Sequence, residues 1–325
     1  MREDARTTKT PDIAYVQGYH SGNHGEAPVN YAFRGFDGNY YFNSDRKEKL
    51  VRGADGLFYR EGGQQLAGFG LEIETECSTI TKTDVLADVF HKIIFPVFKF
   101  GADMFKMQSD ISLGGSTSVE VITQVMTKTR IRNDYHSYKT MFDHYFKAFG
   151  ISADSYTTSC GMHVNVSLGV FGKTKQQQDE AIRKLFYIVN KYYDVFVRAF
   201  KRDPRKTRWC GRMDYSTAKT MDLNNMPSSH GNCMNYSHYP EGRIEIRLVG
   251  GQADYYSFRN TMETVFFLTE RVRNISWKDC DDLVKIFTGC NNYVFKRLPD
   301  CGLTDDQLRA IRETVKAEDL ELRRD

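Results

Sequence analysis

Gly70-Leu71-Glu72-Ile73-Glu74-Thr75-Glu76 alternates apolar and carboxylate side chains at period two. This is the pattern of a β-strand with one face in a core and Glu72, Glu74 and Glu76 standing along the other at steps of about 7 Å. Three like charges at that spacing repel one another unless water or cations screen them. Taken alone, the stretch fits a solvated strand face. Gly68-Phe69-Gly70, just before it, leaves room for close approach of backbone or ligand. Three further stretches repeat the alternation: Ser118-Val119-Glu120-Val121, Cys160-Gly161-Met162-His163-Val164-Asn165-Val166 and Gly242-Arg243-Ile244-Glu245-Ile246-Arg247-Leu248. Each predicts a strand that hides its apolar residues and presents Glu, His, Asn or Arg on the opposite face.

Working outward, the pattern from Phe69 alternates strands with helices. A helical stretch is predicted over about 84–99, interrupted at Pro96, then strands near 104–109 and 117–123 and a helix over about 137–149. A long amphipathic helix from about Lys175 to Lys201 carries Ile182, Leu185, Phe186, Val189, Tyr193, Phe196 and Phe200 at three-and-four spacing. It is expected to lie across the back of the sheet. Another helix follows over about 255–274, and a charged one from Thr304 to about Leu322. Before the motifs, Phe36-Asp37-Gly38-Asn39 and Ala54-Asp55-Gly56-Leu57 are turn signals followed by aromatics, which predicts two β-hairpins. The expected division is a disordered segment at 1–12, a hairpin-rich section at 13–66, a catalytic domain at 67–300 and a charged helix and tail at 301–325. Strands with apolar-in, polar-out alternation imply an α+β fold, with helices on the outer face of an antiparallel sheet and an open active-site face opposite.

Composition narrows the function. With 45 basic and 42 acidic residues the net charge is only +3, so nothing argues for a dedicated nucleic-acid binder. The seven cysteines are odd in number and scattered without CxxC spacing, which reads as free thiols in a reducing compartment. The stretch from Met1 to Asp12 is polar and reads as neither signal peptide nor membrane anchor, so a cytosolic location is expected.

The residue types on the polar face suit magnesium better than zinc. Magnesium takes oxygen ligands from a few carboxylates together with nucleotide phosphates, whereas a zinc centre needs a compact His and Cys set. Glu72, Glu74, Glu120, His163 and Glu245 are the candidate ligands, and the planar, permanently charged Arg247 suits a transferring phosphoryl group. Asp110, in Asp110-Ile111-Ser112, reads equally as a substrate contact or a turn cap. The segment from Lys201 to Arg212 holds six cations against one acid beside Trp209. Within it Arg208 and Arg212, flanking the turn at Gly211, are the candidates to hold a phosphate or a carboxylate; a solvated loop is the plainer reading. His238 is a weaker candidate.

The order Glu-x-Glu, a lone Glu, Gly-Met-His-x-Asn and Ile-Glu-x-Arg resembles the carboxylate-amine ligase superfamily of glutamine synthetase and glutamate-cysteine ligase. Within it the likeness is to the amidoligase family found in phages, bacteria and fungi, over about residues 67–270. The resemblance implies a glutamine-synthetase-like sheet, ATP with Mg2+ or Mn2+, and amide-bond formation through an acyl phosphate. The implied substrates are a carboxylate and an amine acceptor, each a free amino acid, a peptide or a protein side chain. A phage-encoded member would act in the host cytoplasm. Position by position, Glu72, Glu74, Glu120, His163 and Glu245 match the metal ligands, Glu74 and Asp110 stand with Arg247 as catalytic groups, and Arg247 matches the arginine on the nucleotide phosphates. Asn165 stands where the family commonly has a second His; an amide can still donate to a phosphate but carries no charge. The competing readings are an inactive adaptor on this scaffold, a phosphagen-type kinase, and a nucleic-acid binder using the 201–212 segment.

Overall fold

The computed structural model describes residues 67–98, 105–108, 113, 117–123, 125–226 and 231–316, together with six short strand segments between residues 19 and 65. The expectations for 1–12, for Asp110 and for the tail beyond 316 lie outside the described residues. The turn signals at 36–39 and 54–57 lie outside them as well.

The period-two stretches form the middle of one sheet. Its strands are β1 (Tyr19–His20), β7 (Phe69–Cys77), β8 (Phe105–Gln108), β9 (Ser118–Thr123), β10 (Ile151–Ser152), β11 (Met162–Ser167), β12 (Met234–Asn235) and β13 (Arg243–Ile246). Their order is β1-β8-β9-β7-β11-β13-β12, with β10 also on β7, and every pair is antiparallel except β1 with β8. The chain is thus mixed α and β around an antiparallel sheet. The intervening strands β2 (Phe33–Arg34), β3 (Tyr40–Tyr41), β4 (Lys49–Arg52), β5 (Phe58–Arg60) and β6 (Gln64–Gln65) form a separate antiparallel meander. The pairs β2–β3 and β4–β5 flank the two turn sequences.

Register decides what each face carries. Ile73 is opposite Val121 and Met162, and Val164 is opposite Leu71 and Ile246. These side chains lie in one continuous hydrophobic core. On the alternate positions Glu74 is opposite Glu120, Glu72 opposite His163, and Glu245 opposite both Asn165 and Asn235. A slip of one residue in any of these pairings would send charges into the core, so the hydrophobic pattern fixes the register that assembles the polar face.

Helices complete the core. They are α1 (Thr83–Val89), α2 (Lys128–Asn133), α3 (Tyr135–Thr140), α4 (Lys175–Lys191), α5 (Tyr193–Ala199), α6 (Tyr255–Asn274), α7 (Leu283–Phe287), α8 (Asn292–Phe295) and α9 (Asp305–Arg312). Thr174 closes a capping box with Gln177 at the start of α4, and Asp254 caps α6 by accepting from Ser257 N at 2.7 Å. Phe69 of β7 meets Phe266 of α6 edge to face at 4.8 Å.

Several boundaries differ from the sequence expectation. After α1 the chain passes through a π turn at Phe90–Ile94 and a 3-10 turn at Phe95–Val97, where Pro96 cannot donate the next helical hydrogen bond. The helix expected from Ser137 starts at Tyr135, and a separate short helix, α2, precedes it, because the Thr127 hydroxyl accepts from Arg130 N at 3.1 Å and caps an earlier turn. The long helix breaks at Tyr192, whose φ of −105° and ψ of 38° separate α4 from α5. On the polar face Glu74, Glu120, His163, Asn165 and Glu245 are buried, while Glu72, Glu76 and Arg247 are half-buried. The sequence alternation cannot register this, because a buried face of mutually paired charges and a wet face read alike. Among the described residues no helix is long and apolar enough to cross a membrane.

Candidate metal and anion site

His163 sits at the centre of the polar face. Its Nδ1 lies 3.2 Å from Glu72 Oε2 and 3.2 Å from Glu245 Oε1, and its Nε2 lies 3.6 Å from Glu74 Oε1. One ring therefore faces three carboxylates from two neighbouring strands. Donor atoms of Glu72, Glu120 and His163 lie within 4.8 Å of one another. Glu74 and Glu120 are direct cross-strand partners, a pairing of like charges that is unfavourable unless a cation offsets it.

The electrostatics follow from these contacts. Burial pushes the Glu72 carboxyl up, but the hydrogen bond and charge of His163, the charge of Arg243 and the Asn165 amide outweigh it and hold Glu72 well below the usual carboxylate range. Burial and the Arg247 charge push the His163 ring down. The Glu72 hydrogen bond and the charges of Glu245 and Glu74 prevail, and its pKa is raised. The cluster thus asks for a cation at its centre, which a protonated imidazole or a metal ion can supply.

A frame of amides and guanidiniums surrounds the carboxylates. Asn165 Nδ2 donates to Glu72 Oε1 at 2.8 Å while its Oδ1 accepts from Arg243 Nη1 at 2.9 Å. Asn235 Nδ2 donates to Glu245 Oε2 and Arg247 Nη1 to Glu245 Oε1, each at 2.8 Å. Glu74 Oε2 accepts from Gly161 N. Asn165, expected on the nucleotide, is here a bridge that orients Glu72. Glu76, at the end of the row, is only half-buried and accepts from Ser159 N at 3.0 Å.

Glu72, Glu74, Glu120, His163, Asn165, Glu245 and Arg247 are therefore brought together. Arg208 and Arg212 stand apart. Arg208 is exposed with its guanidinium 4.5 Å from the Trp209 ring centre, and Arg212 packs 5.2 Å over Tyr215 and reaches the Lys191 carbonyl at 3.5 Å. His238 lies in the turn before β13, where its carbonyl accepts from Arg243 N at 3.1 Å. Two residues without a sequence-based assignment join the site: Arg243 and Asn235. Arg243 shares the parity of Glu245 and could have been found that way; Asn235 carried no signal.

The donor set fits a divalent cation. Two carboxylates and an imidazole converge, further carboxylates stand beside them, and oxygen-rich sites of this kind suit Mg2+ or Mn2+. Their orientation by Asn165, Asn235 and Arg247 is the outer support that metal sites require.

No family model matches this chain, and no curated protein matches it. Among solved structures it is similar to a bifunctional glutathione synthetase from Pasteurella multocida, with a TM-score of 0.31 and 11% identity over 77% of this chain. The chain spans 46% of the length of that protein. A likeness of that size carries no argument, so the chemistry rests on the residues themselves.

Proposed function

We propose that this chain is an ATP-dependent carboxylate-amine ligase that forms an amide bond through an acyl phosphate. The observation that carries the reading is the convergence of Glu72, Glu120 and His163 within 4.8 Å, bordered by Glu74, Glu245 and Arg247. The order of motifs along the sequence supports it independently.

Glu72, Glu120 and His163 would hold Mg2+ or Mn2+, with Glu74 and Glu245 as the adjoining ligands. When bound, the ion supplies screening between the substrate carboxylate and the nucleotide phosphates. The protein contributes orientation and charge. Asn165 fixes one oxygen of Glu72, Asn235 fixes one oxygen of Glu245, and neither carboxylate has to reorganise as charge develops. Arg247, 12% exposed at the side chain and held by Glu245, offers a planar fork to a phosphoryl group. The burial of Glu74, Glu120, His163 and Glu245 would limit water at a phosphorylated carboxylate held beside them, which would otherwise hydrolyse. The amine then displaces phosphate, and the substrates are a carboxylate and an amine of small-molecule, peptide or protein origin.

The test is ADP and phosphate release from ATP and Mg2+ with pooled carboxylates and amines. The reading requires that ADP formation depend on both pools. ADP formed with a single acceptor would indicate a kinase, and the absence of ADP with every pool would remove the ligase assignment.

A further inference from the structure

Arg202 is a buried cation with no carboxylate in contact; besides two backbone carbonyls its neighbours are the Cys210 thiol and, beyond ion-pair distance, Glu74. The residue is 5% exposed, and its Nε has no hydrogen-bond partner. Nη1 reaches the Val249 carbonyl at 3.4 Å and Nη2 the Lys206 carbonyl at 3.5 Å, both at the long limit for such bonds. Among the described residues no carboxylate lies within 4.0 Å of its nitrogens. An Nε without a hydrogen-bond partner is shared with Arg243, Arg259, Arg271 and Arg297, but Arg259 lies 3.9 Å over the Tyr293 ring, and Arg243 and Arg297 each make a bond of 2.9 Å or shorter through their terminal nitrogens, whereas both bonds of Arg202 to carbonyls are at the long limit. A guanidinium taken out of water without a partner is strongly unfavourable.

The backbone also incurs a cost to put it there. Lys201 has φ +55°, and it is the only non-glycine residue with positive φ among the described residues. That conformation crowds any side chain with a Cβ. It is locked from both sides: Ser155 Oγ donates to the Lys201 carbonyl at 2.7 Å, and a Cβ on Gly250 would lie 2.2 Å from the same oxygen. The turn aims Arg202 at the start of β11. A Cβ on Gly161 would stand 2.6 Å from Arg202 Nη1 and 3.3 Å from Glu74 Oε2, so only glycine leaves Arg202 and Glu74 their approach.

We propose that Arg202 is the seat of an oxyanion at the edge of the carboxylate cluster. A guanidinium whose Nε is unsatisfied can give two parallel N–H bonds to a phosphoryl group or a carboxylate, and either would supply the missing negative charge. Within the ligase reading, on which this inference rests, the two sources are a nucleotide phosphate and the substrate carboxylate. The alternative role is a brace tying the Val249 and Lys206 carbonyls together.

The experiment is thermal melting of the full chain at constant ionic strength, titrated separately with inorganic phosphate, MgADP and glutamate. At least one titration should raise the melting temperature of the wild type. In Arg202→Met the apparent affinity of that probe should fall by about 10- to 100-fold, the usual contribution of charge-assisted hydrogen bonds. Arg202→Lys should retain part of it. Without ligand, Arg202→Met should melt no lower than wild type, since replacing a buried unpaired charge by a hydrocarbon is not destabilising. Loss confined to phosphate and ADP identifies the nucleotide as the source, and loss confined to glutamate identifies the substrate. Gly161→Ala guards against a misfolded Met variant: its Cβ presses chiefly on the tip of Arg202, 2.6 Å away against 3.3 Å for Glu74 Oε2, and should weaken the same response in a folded protein.

No response of the wild type to any probe, or an unchanged response in Arg202→Met or Gly161→Ala, overturns the proposal. A lower ligand-free melting temperature with the response intact identifies the brace. Failure of the ligase reading is separable, because loss of the oxyanion response in Arg202→Met would stand even if no ADP were ever formed.

Discussion

The two faces of β7 are both largely removed from water, with only Glu72 and Glu76 half-buried, yet they are filled in opposite ways. Leu71 and Ile73 enter a hydrocarbon core with Val121, Met162 and Val164, where burial itself is the driving force. Glu74, with Glu120, His163 and Glu245 around it, is enclosed among charges that each lost hydration to be there. Folding alone accounts for the first face. It does not account for the second, since a buried set of ion pairs is seldom more stable than a well-packed apolar replacement. The polar face is therefore read as retained for chemistry, and mutations on opposite faces of the same strand should separate stability from activity.

The largest contrast should come from Glu74→Gln. The amide keeps the shape and can still accept from Gly161 N, so the melting temperature should stay within a few degrees while ADP formation falls by about 10³-fold or more, as for loss of a group essential to electrostatic catalysis. Equal turnover of variant and wild type at saturating ATP and Mg2+ would break the comparison. Leu71→Ala, three residues earlier on the same strand, should do the reverse: a loss of about 3 kcal/mol of stability measured by denaturant melts, with activity per folded molecule preserved. An unchanged midpoint would mean that the apolar face is not the core it is taken to be.

A smaller effect is expected at Arg247. Replacing it by Lys keeps the charge near Glu245 but removes the bidentate fork, so turnover should fall by about 10²-fold, or about 2.7 kcal/mol in barrier, with little change in melting. Turnover equal to wild type would make Arg247 a structural partner of Glu245 only. Glu76→Gln should be smallest of all. Its carboxylate is half-buried and engaged with Ser159, so steady-state ADP release should change by less than about 10-fold; abolition of activity would extend the catalytic row beyond Glu74.

Legibility in the sequence divides along the same line. Strands whose side chains alternate strictly, such as 69–77 and 162–167, were readable because period two has no helical counterpart. The convergence of Glu72, Glu120, His163 and Glu245 followed from parity once those strands were neighbours. Tyr192 was not readable as a break, because it is neither Pro nor Gly and the apolar spacing runs on through it. The anchoring of Asn165 between Glu72 and Arg243 was also hidden, since a strand Asn carries no mark of what it bonds. The basic segment misled in a physical way: Arg208 and Arg212 have charge and a neighbouring turn, but the left-handed Lys201 sends the inward position to Arg202. Nothing in the composition of that segment encodes such a turn.

Direct Mn2+ titration of the nucleotide-free protein by electron paramagnetic resonance tests whether the polar face holds a divalent cation, without reference to any substrate. The expected result is saturable binding in the wild type that weakens by about 10-fold or more in Glu120→Gln and in His163→Ala, as removal of a ligand from a small carboxylate–imidazole set requires. Wild-type protein that takes up no Mn2+, or binding untouched by both substitutions, would contradict it.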